Sequence, residues 1–161
     1  VAGAGLGLTP ARAEPLAAPE GKVVLVVDGK ITNTNGAGKA SFDDAMLAAL
    51  PQVELRTSTP WTDGPVRFSG PTLASVLAAV GAEPADVRAV AFNDYSATVP
   101  VDLITDEAPI IAIRRDGKPY GIRDNGPLWI VYPYDADQKY RGEQANSSSV
   151  WQLVGLTVAP E

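Results

Sequence analysis

The chain has 161 residues, 45% of them hydrophobic and 20% charged: enough apolar content to bury one core, and too much for a disordered chain. Nineteen acidic residues against 13 basic ones give a formal charge of -6, so the surface repels phosphate backbones and anionic membranes and argues against nucleic acid as a partner. The absence of cysteine and histidine excludes disulfides, thiolate nucleophiles, cysteine-bound metal, a Ser-His-Asp triad and histidine zinc sites, leaving any catalysis to carboxylates, Lys, Arg, Tyr or hydroxyls.

Residues 1–13 read as the remnant of a signal peptide. A small apolar stretch (VAGAGLGL) is followed by Ala11-x-Ala13, the small-residue pattern of signal peptidase cleavage. The GAGLG within it lacks the preceding strand and following helix of a dinucleotide loop. A flexible linker behind another domain is the alternative. Export implies a periplasmic protein, and a cysteine-free chain suits that compartment because it cannot mispair. No segment approaches the ~20 apolar residues needed to span a bilayer, so membrane insertion is not expected. Residues 14–21 read as a linker and 22–161 as a single domain.

Residues 22–27 (KVVLVV) are a β-branched run closed by Asp28-Gly29 and predict a strand. Residues 32–38 are loop. Ser41 is expected to cap a helix running to Leu50, with Phe42, Ala45, Met46 and Ala49 on one face. Residues 53–57 and 66–68 are short strands flanking a loop that carries Trp61. Gly70-Pro71 is expected to start a second helix, with Leu73, Val76, Leu77 and Val80 as its buried stripe and Gly81 as its stop. Strands follow at 87–92 and 95–99 around an Asn93-Asp94 turn, then a helical turn at 101–105. Residues 110–114 form a strand, Asp116-Gly117 a hairpin turn, and 128–132 (LWIVY) a buried strand. Residues 135–146 are polar and expected to be irregular, Ser147-Ser148-Ser149 reads as loop, and 151–158 is the final strand. Short strands mixed with two helices, without βαβ alternation, predict an α+β domain with a mixed, largely antiparallel sheet.

Polar and aromatic residues gathered in loops are the candidates for function. They are Thr57, Ser58 and Trp61; Asn93 and Tyr95; Arg123 and Asn125; and Trp151. Each has an ordinary structural alternative: turn hydroxyls at 57–59, a turn pair at Asn93-Asp94, a surface ion pair at Arg123-Asp124. Trp61 is either a lid packed on the core or a stacking surface. Trp129, within its apolar run, reads as core. Asp135 and Asp137 lack the further oxygens and glycine of a calcium loop. Ser58 and Ser69 have no recognisable base partner, which leaves a serine hydrolase without support.

The order of five segments resembles the molybdopterin-binding domain of the sulfite oxidase family. They are VELRT at 53–57, FSGPTLASVL at 68–77, YSATVP at 95–100, Asp116-Gly117 with RDNGP at 123–127, and VWQL at 150–153, together spanning about two-thirds of the chain. The resemblance implies a sulfite-oxidase-type fold and a pterin site. Thr57 aligns where the family places its molybdenum-ligating cysteine, and a hydroxyl is a poor replacement for a soft sulfur donor. The family's Arg-Asp-His-Gly stretch reads Arg123-Asp124-Asn125-Gly126, and Trp151 stands for a cofactor-contacting lysine. The resemblance therefore implies a small exported branch that binds a pterin or molybdopterin-like ligand without molybdenum. Trp61 and Trp151 would stack on the ring, Arg123 would pair with an anionic group, and Asn93 and Asn125 would read ring edges. Two alternatives stand beside it: an accessory protein whose loops bind a periplasmic or membrane sensor, and a molybdenum-cofactor-dependent oxidoreductase with water or oxo groups in the thiolate position.

Overall fold

The computed structural model describes residues 15–160; the expected leader, residues 1–13, lies outside the described residues. The architecture is α+β, as the sequence implies. A five-stranded sheet has the order β2-β1-β10-β5-β6, built from β1 (Val23–Gly29), β2 (Ala40–Asp43), β5 (Val87–Ala91), β6 (Ser96–Val99) and β10 (Leu153–Val158). Only β1 and β10 pair in parallel within it; the other neighbours are antiparallel. A three-stranded sheet joins β3 (Gln52–Thr57), β4 (Val66–Pro71) and β8 (Arg114–Arg115), and a short ribbon pairs β7 (Ile110–Ala112) with β9 (Trp129–Val131).

The period-2 pattern of a strand explains the core. In β1, Leu25 and Val27 are fully buried while Val24 and Val26 face the other side, half-buried. Both strands of the β7–β9 ribbon are buried at every residue, which is why their sequences read as unbroken apolar runs. Gly70 permits the close approach of β4 to β7. A Cβ there would collide with the Ile111 carbonyl.

The helices start later than the sequence suggests. Ser41 is not a cap: it lies in β2, opposite Val26 of β1, and Phe42 is buried as a strand residue. Pairing with β1 outcompetes the helical reading of these residues. The cap of α1 (Asp44–Ala49) is Asp43, whose carboxylate accepts the Met46 amide at 2.8 Å. Its other oxygen accepts the amides of Glu20 and Gly21 at 3.0 and 2.9 Å, tying the entering chain to the sheet. Gly70-Pro71 ends β4 instead of opening α2 (Leu73–Ala79), which is capped by the Thr72 hydroxyl on the Ser75 amide at 3.0 Å. The stripe of Leu73, Val76, Leu77 and Val80 is buried as expected, and Gly81 adopts a positive φ of 69° just past the helix.

The segment 135–146 is more ordered than its polarity implies. A 3-10 turn (Gln138–Arg141) leads into a third helix, α3 (Glu143–Ser147), burying Tyr140 and Ala145. The serine run is structural as well: Ser148 and Ser149 are buried. Their hydroxyls donate to the carbonyls of Gln144 at 2.6 Å and Ala145 at 2.7 Å. That leaves the phenols of Tyr132 and Tyr134 to donate to the serine oxygens, at 2.7 and 2.6 Å. Among the described residues no helix is long and apolar enough to cross a membrane.

Two predictions follow from this packing. Gly70→Ala forces β4 away from the ribbon and should lower the unfolding free energy by about 1–3 kcal/mol or more, measured by urea titration. The second concerns Asp43, whose carboxyl is held below its ordinary value chiefly by the Gly21 and Met46 amides. A depressed native pKa contributes stability that is in full force above pH ~4 and is lost as acid titrates the group through its native value. Asp43→Ala should therefore lower the melting temperature at pH 7, with wild type and variant converging in strong acid.

Candidate functional site

Trp129 is the base of an aromatic cluster. Fully buried on β9, it meets Phe68 of β4 edge-on at 5.3 Å and both other tryptophans, Trp61 and Trp151, at 6.2 Å. Trp151 is also bridged to Trp129 through the backbone, just before β10 begins. Trp61, at the tip of the loop between β3 and β4, packs edge-on against Trp151 at 5.4 Å and Tyr134 at 6.0 Å. Trp61 is half-buried, so it both closes on the core and presents surface.

Beside this cluster lies a cavity of about 590 Å³. Four of the eight candidate residues line it together: Trp61, Asn93, Tyr95 and Trp151. They come from three separate stretches of sequence. The β5–β6 turn supplies Asn93 and Tyr95, with Asp94 in the left-handed region at φ 70°. The Asn93 side-chain oxygen accepts the Tyr95 amide at 3.2 Å, and the Tyr95 hydroxyl donates to the Ser147 carbonyl at 2.8 Å, closing the hairpin onto α3. Trp61 and Trp151 do not form a sandwich. A flat ring between two parallel rings needs about 7 Å, twice a carbon contact distance of ~3.5 Å; these two touch edge to face. A flat ring would have one indole face to stack on, with no sandwich between the two.

The other four candidates lie elsewhere. Thr57 is buried, and its hydroxyl donates to the Ser58 carbonyl at 2.9 Å and accepts the Asp135 amide at 3.2 Å. Ser58 lines a smaller cleft of about 240 Å³ on the far side of Asn146. There its amide and hydroxyl both bond the Asp135 carboxylate, at 2.8 and 2.6 Å, clamping the Trp61 loop to residues 133–137. These bonds, the Ser58 hydroxyl foremost, hold the Asp135 carboxyl below its usual range. Arg123 and Asn125 do not border the cavity: Arg123 is exposed on a 3-10 turn, and Asn125 closes that turn at φ 72°. The Asn125 carbonyl accepts the Gln152 amide at 2.9 Å, so this turn supports Trp151 from behind. Its Arg-Asp-Asn-Gly sequence builds a turn.

Sequence reasoning missed four polar residues of the cavity: Ser147 and Ser149, read as loop, and the pair Glu143 and Asn146. Both sit on α3, three residues apart and hence on one face, in a segment whose polarity hides its helix. The buried phenols offer no base. Burial pushes Tyr132 up to about 12, and Tyr120 and Tyr134 higher still, so all three are protonated at neutral pH.

The donor set does not fit a molybdenum cofactor. The chain has no thiolate, and the Thr57 hydroxyl is committed on both sides. Among the described residues no three His, Cys, Asp or Glu side chains gather to hold a metal. No Lys or Arg lines the cavity to balance a phosphate. Aromatic faces and amides do fit a bare heterocyclic ring.

No protein-family model and no curated protein sequence matches the chain. Among solved structures it is similar to the sulfane dehydrogenase SoxCD from Paracoccus pantotrophus, at a TM-score of 0.63 and 16% identity over 85% of this chain. The match spans 38% of that protein's chain. At this identity the likeness is one of fold, and it agrees with the mixed α+β architecture described above.

The Ser58–Asp135 clamp yields a prediction. Asp135→Ala should leave α2 as protected as before while amide exchange in residues 58–62 accelerates. Equal protection in the two proteins would show that Trp61 is held by its ring contacts alone.

Proposed function

We propose that this protein is a binding module for a small flat heterocycle of the pterin type, taken up in the cavity beside Trp61 and Trp151 without a molybdenum centre. The observation that carries the reading is the convergence of Trp61, Asn93, Tyr95 and Trp151, drawn from three stretches of sequence, on one cavity of about 590 Å³. That volume lies within the range of about 300–1,000 Å³ usual for small-molecule sites. The sequence resemblance to a molybdopterin-binding domain and a fold shared with a dehydrogenase both favour a pterin ring over other flat ligands. A leader-like start supports export, and with it a periplasmic site of action.

The reading assigns no redox step. The ring stacks on one indole face, the remaining aromatics exclude water, and amides at the wall fix its orientation. Phe92 and Tyr95, 67% and 49% exposed on the turn that carries the cavity-lining Asn93, favour a second role. A sensor protein docking on these rings would register whether the cavity is filled.

Titration with a pterin, followed by quenching of tryptophan emission, tests the reading. Trp61→Ala should weaken binding at least roughly tenfold, the loss of one aromatic contact, while Arg123→Ala leaves it unchanged. Retention of full affinity in Trp61→Ala would remove the cavity from consideration.

A further inference from the structure

The hydrogen-bonding groups of the cavity wall are unequal in what they have left to offer. The Asn93 side-chain oxygen is occupied by the Tyr95 amide, so its NH2 is the end available to a ligand. The Tyr95 hydroxyl has given its proton to the Ser147 carbonyl. Ser149 donates to Ala145 and is paired with Tyr134, which leaves it nothing to give. The Tyr95 and Ser147 hydroxyl oxygens can still accept, and two further acceptors stand without any partner. One is the exposed carboxylate of Glu143, for which no hydrogen bond or ion pair forms with the other described side chains. The other is the Asn146 side-chain oxygen, shielded from water and unpartnered among the described residues. That oxygen is closed to solvent, on a residue shared with the smaller cleft, so the exposed Glu143 carboxylate is the unpartnered acceptor open to a ligand.

The charge balance points the same way. Glu143 is the one ionisable group of fixed charge on the wall, and no cation offsets it. Phosphate or carboxylate on a ligand would therefore enter against a like charge, a repulsion that salt screens because Glu143 is exposed. A carboxylate is matched by two parallel N–H donors, as it is by a guanidinium fork.

Building on the pterin reading of the same cavity, we infer that it selects an unphosphorylated ring presenting adjacent N–H donors, such as the amino-pyrimidinone edge of a pterin. Glu143 reads that edge, and the Asn93 amide donates to a ring carbonyl or nitrogen. Glu143 is thus a specificity-determining residue. Lumazine, in which an oxo group replaces the 2-amino group, turns an acceptor toward the carboxylate and is repelled.

The test compares pterin, lumazine and a pterin bearing a phosphate monoester, titrated by tryptophan quenching into wild type and Glu143→Gln. Glu143 is exposed on a short helix, and equal melting temperatures confirm that the variant folds. In wild type, pterin should bind roughly ten- to a hundredfold tighter than lumazine, the worth of one charge-assisted hydrogen bond. The phosphorylated pterin should bind more weakly than pterin, most of all at low salt. In Glu143→Gln the preference for pterin over lumazine should shrink to a few-fold. Equal affinities for pterin and lumazine, or a silent Glu143→Gln with Trp61→Ala still disruptive, would overturn the edge assignment and leave the cavity reading standing. Tighter binding of the phosphorylated ring would do the same. If none of the three ligands binds wild type, the pterin reading fails and this inference fails with it.

Discussion

The fold and the site both depend on the burial of a single indole. Trp129 has no exposed surface and sits where the β7–β9 ribbon, the β3–β4 loop and the start of β10 meet. Its contact with Phe68 anchors it to the small sheet, and its bridge to Trp151 leads directly into β10, the middle strand of the large one. The position of Trp61 is thereby set from below by Trp129 and from the side by Trp151. Removing a buried aromatic of this kind costs about 3–5 kcal/mol in general, a large share of a domain's stability. Here it would also take away the support under Trp61 and Trp151, which line the cavity.

The opposite wall is held by a different kind of force. α3 is too short and too polar to be fastened by an apolar stripe; only Ala145 of its residues is buried. Two relays fasten it instead, each running from a phenol of the Tyr132–Tyr134 segment through a serine hydroxyl to a helix carbonyl. Every proton in these relays has a single consistent direction, so all the buried hydroxyls are satisfied. The Arg141 guanidinium adds a bond to the Tyr134 carbonyl at 2.7 Å. Polar residues thus build a rigid wall, and the faces of Glu143 and Asn146 turned to the cavity are fixed by it.

This division explains what could be read from the sequence. Elements held by apolar burial were legible: the β-branched run of β1, the LWIVY stretch around β9, the stripe of α2. Those held by polar pairing were not. Ser41 has the look of a helix cap, yet its backbone is claimed by the ladder with β1, a non-local pairing that no local pattern records. The residues of α3 look like loop because the partners that satisfy them, Tyr132 and Tyr134, lie upstream on another segment. At the site, Trp61 and Trp151 stood out as aromatics in turn-rich surroundings, and Asn93 and Tyr95 as a polar turn. Arg123 and Asn125 stood out just as clearly and yet form a supporting turn, because an Arg-Asp-Asn-Gly stretch has the same composition whether it binds or bends. Thr57 was singled out as a loop hydroxyl and again by the family resemblance, and its hydroxyl proves to be spent on the backbone.

The placement of cations decides what kind of chemistry the shared fold can support. Arg114 is committed to Asp44 through two bonds of 2.8 Å, joining β8 to α1, and Arg115 reaches the Asp124 carbonyl at 3.1 Å. Arg67 lies 3.8 Å from Glu54 on the surface of the small sheet. None of these guanidinium groups borders the cavity beside Trp61. A scaffold that handles a phosphate-bearing cofactor needs positive charge or convergent backbone amides at that ligand's tail. This cavity offers neither Lys nor Arg, and its charged wall residue is an acid. With charge attraction withdrawn, discrimination among ligands of the proposed kind would rest on aromatic contact and on matching donors to acceptors. Wherever binding buries a wall group, a mismatched polar pair costs more than a matched pair gains, so selectivity would be set by the partner a ligand fails to provide.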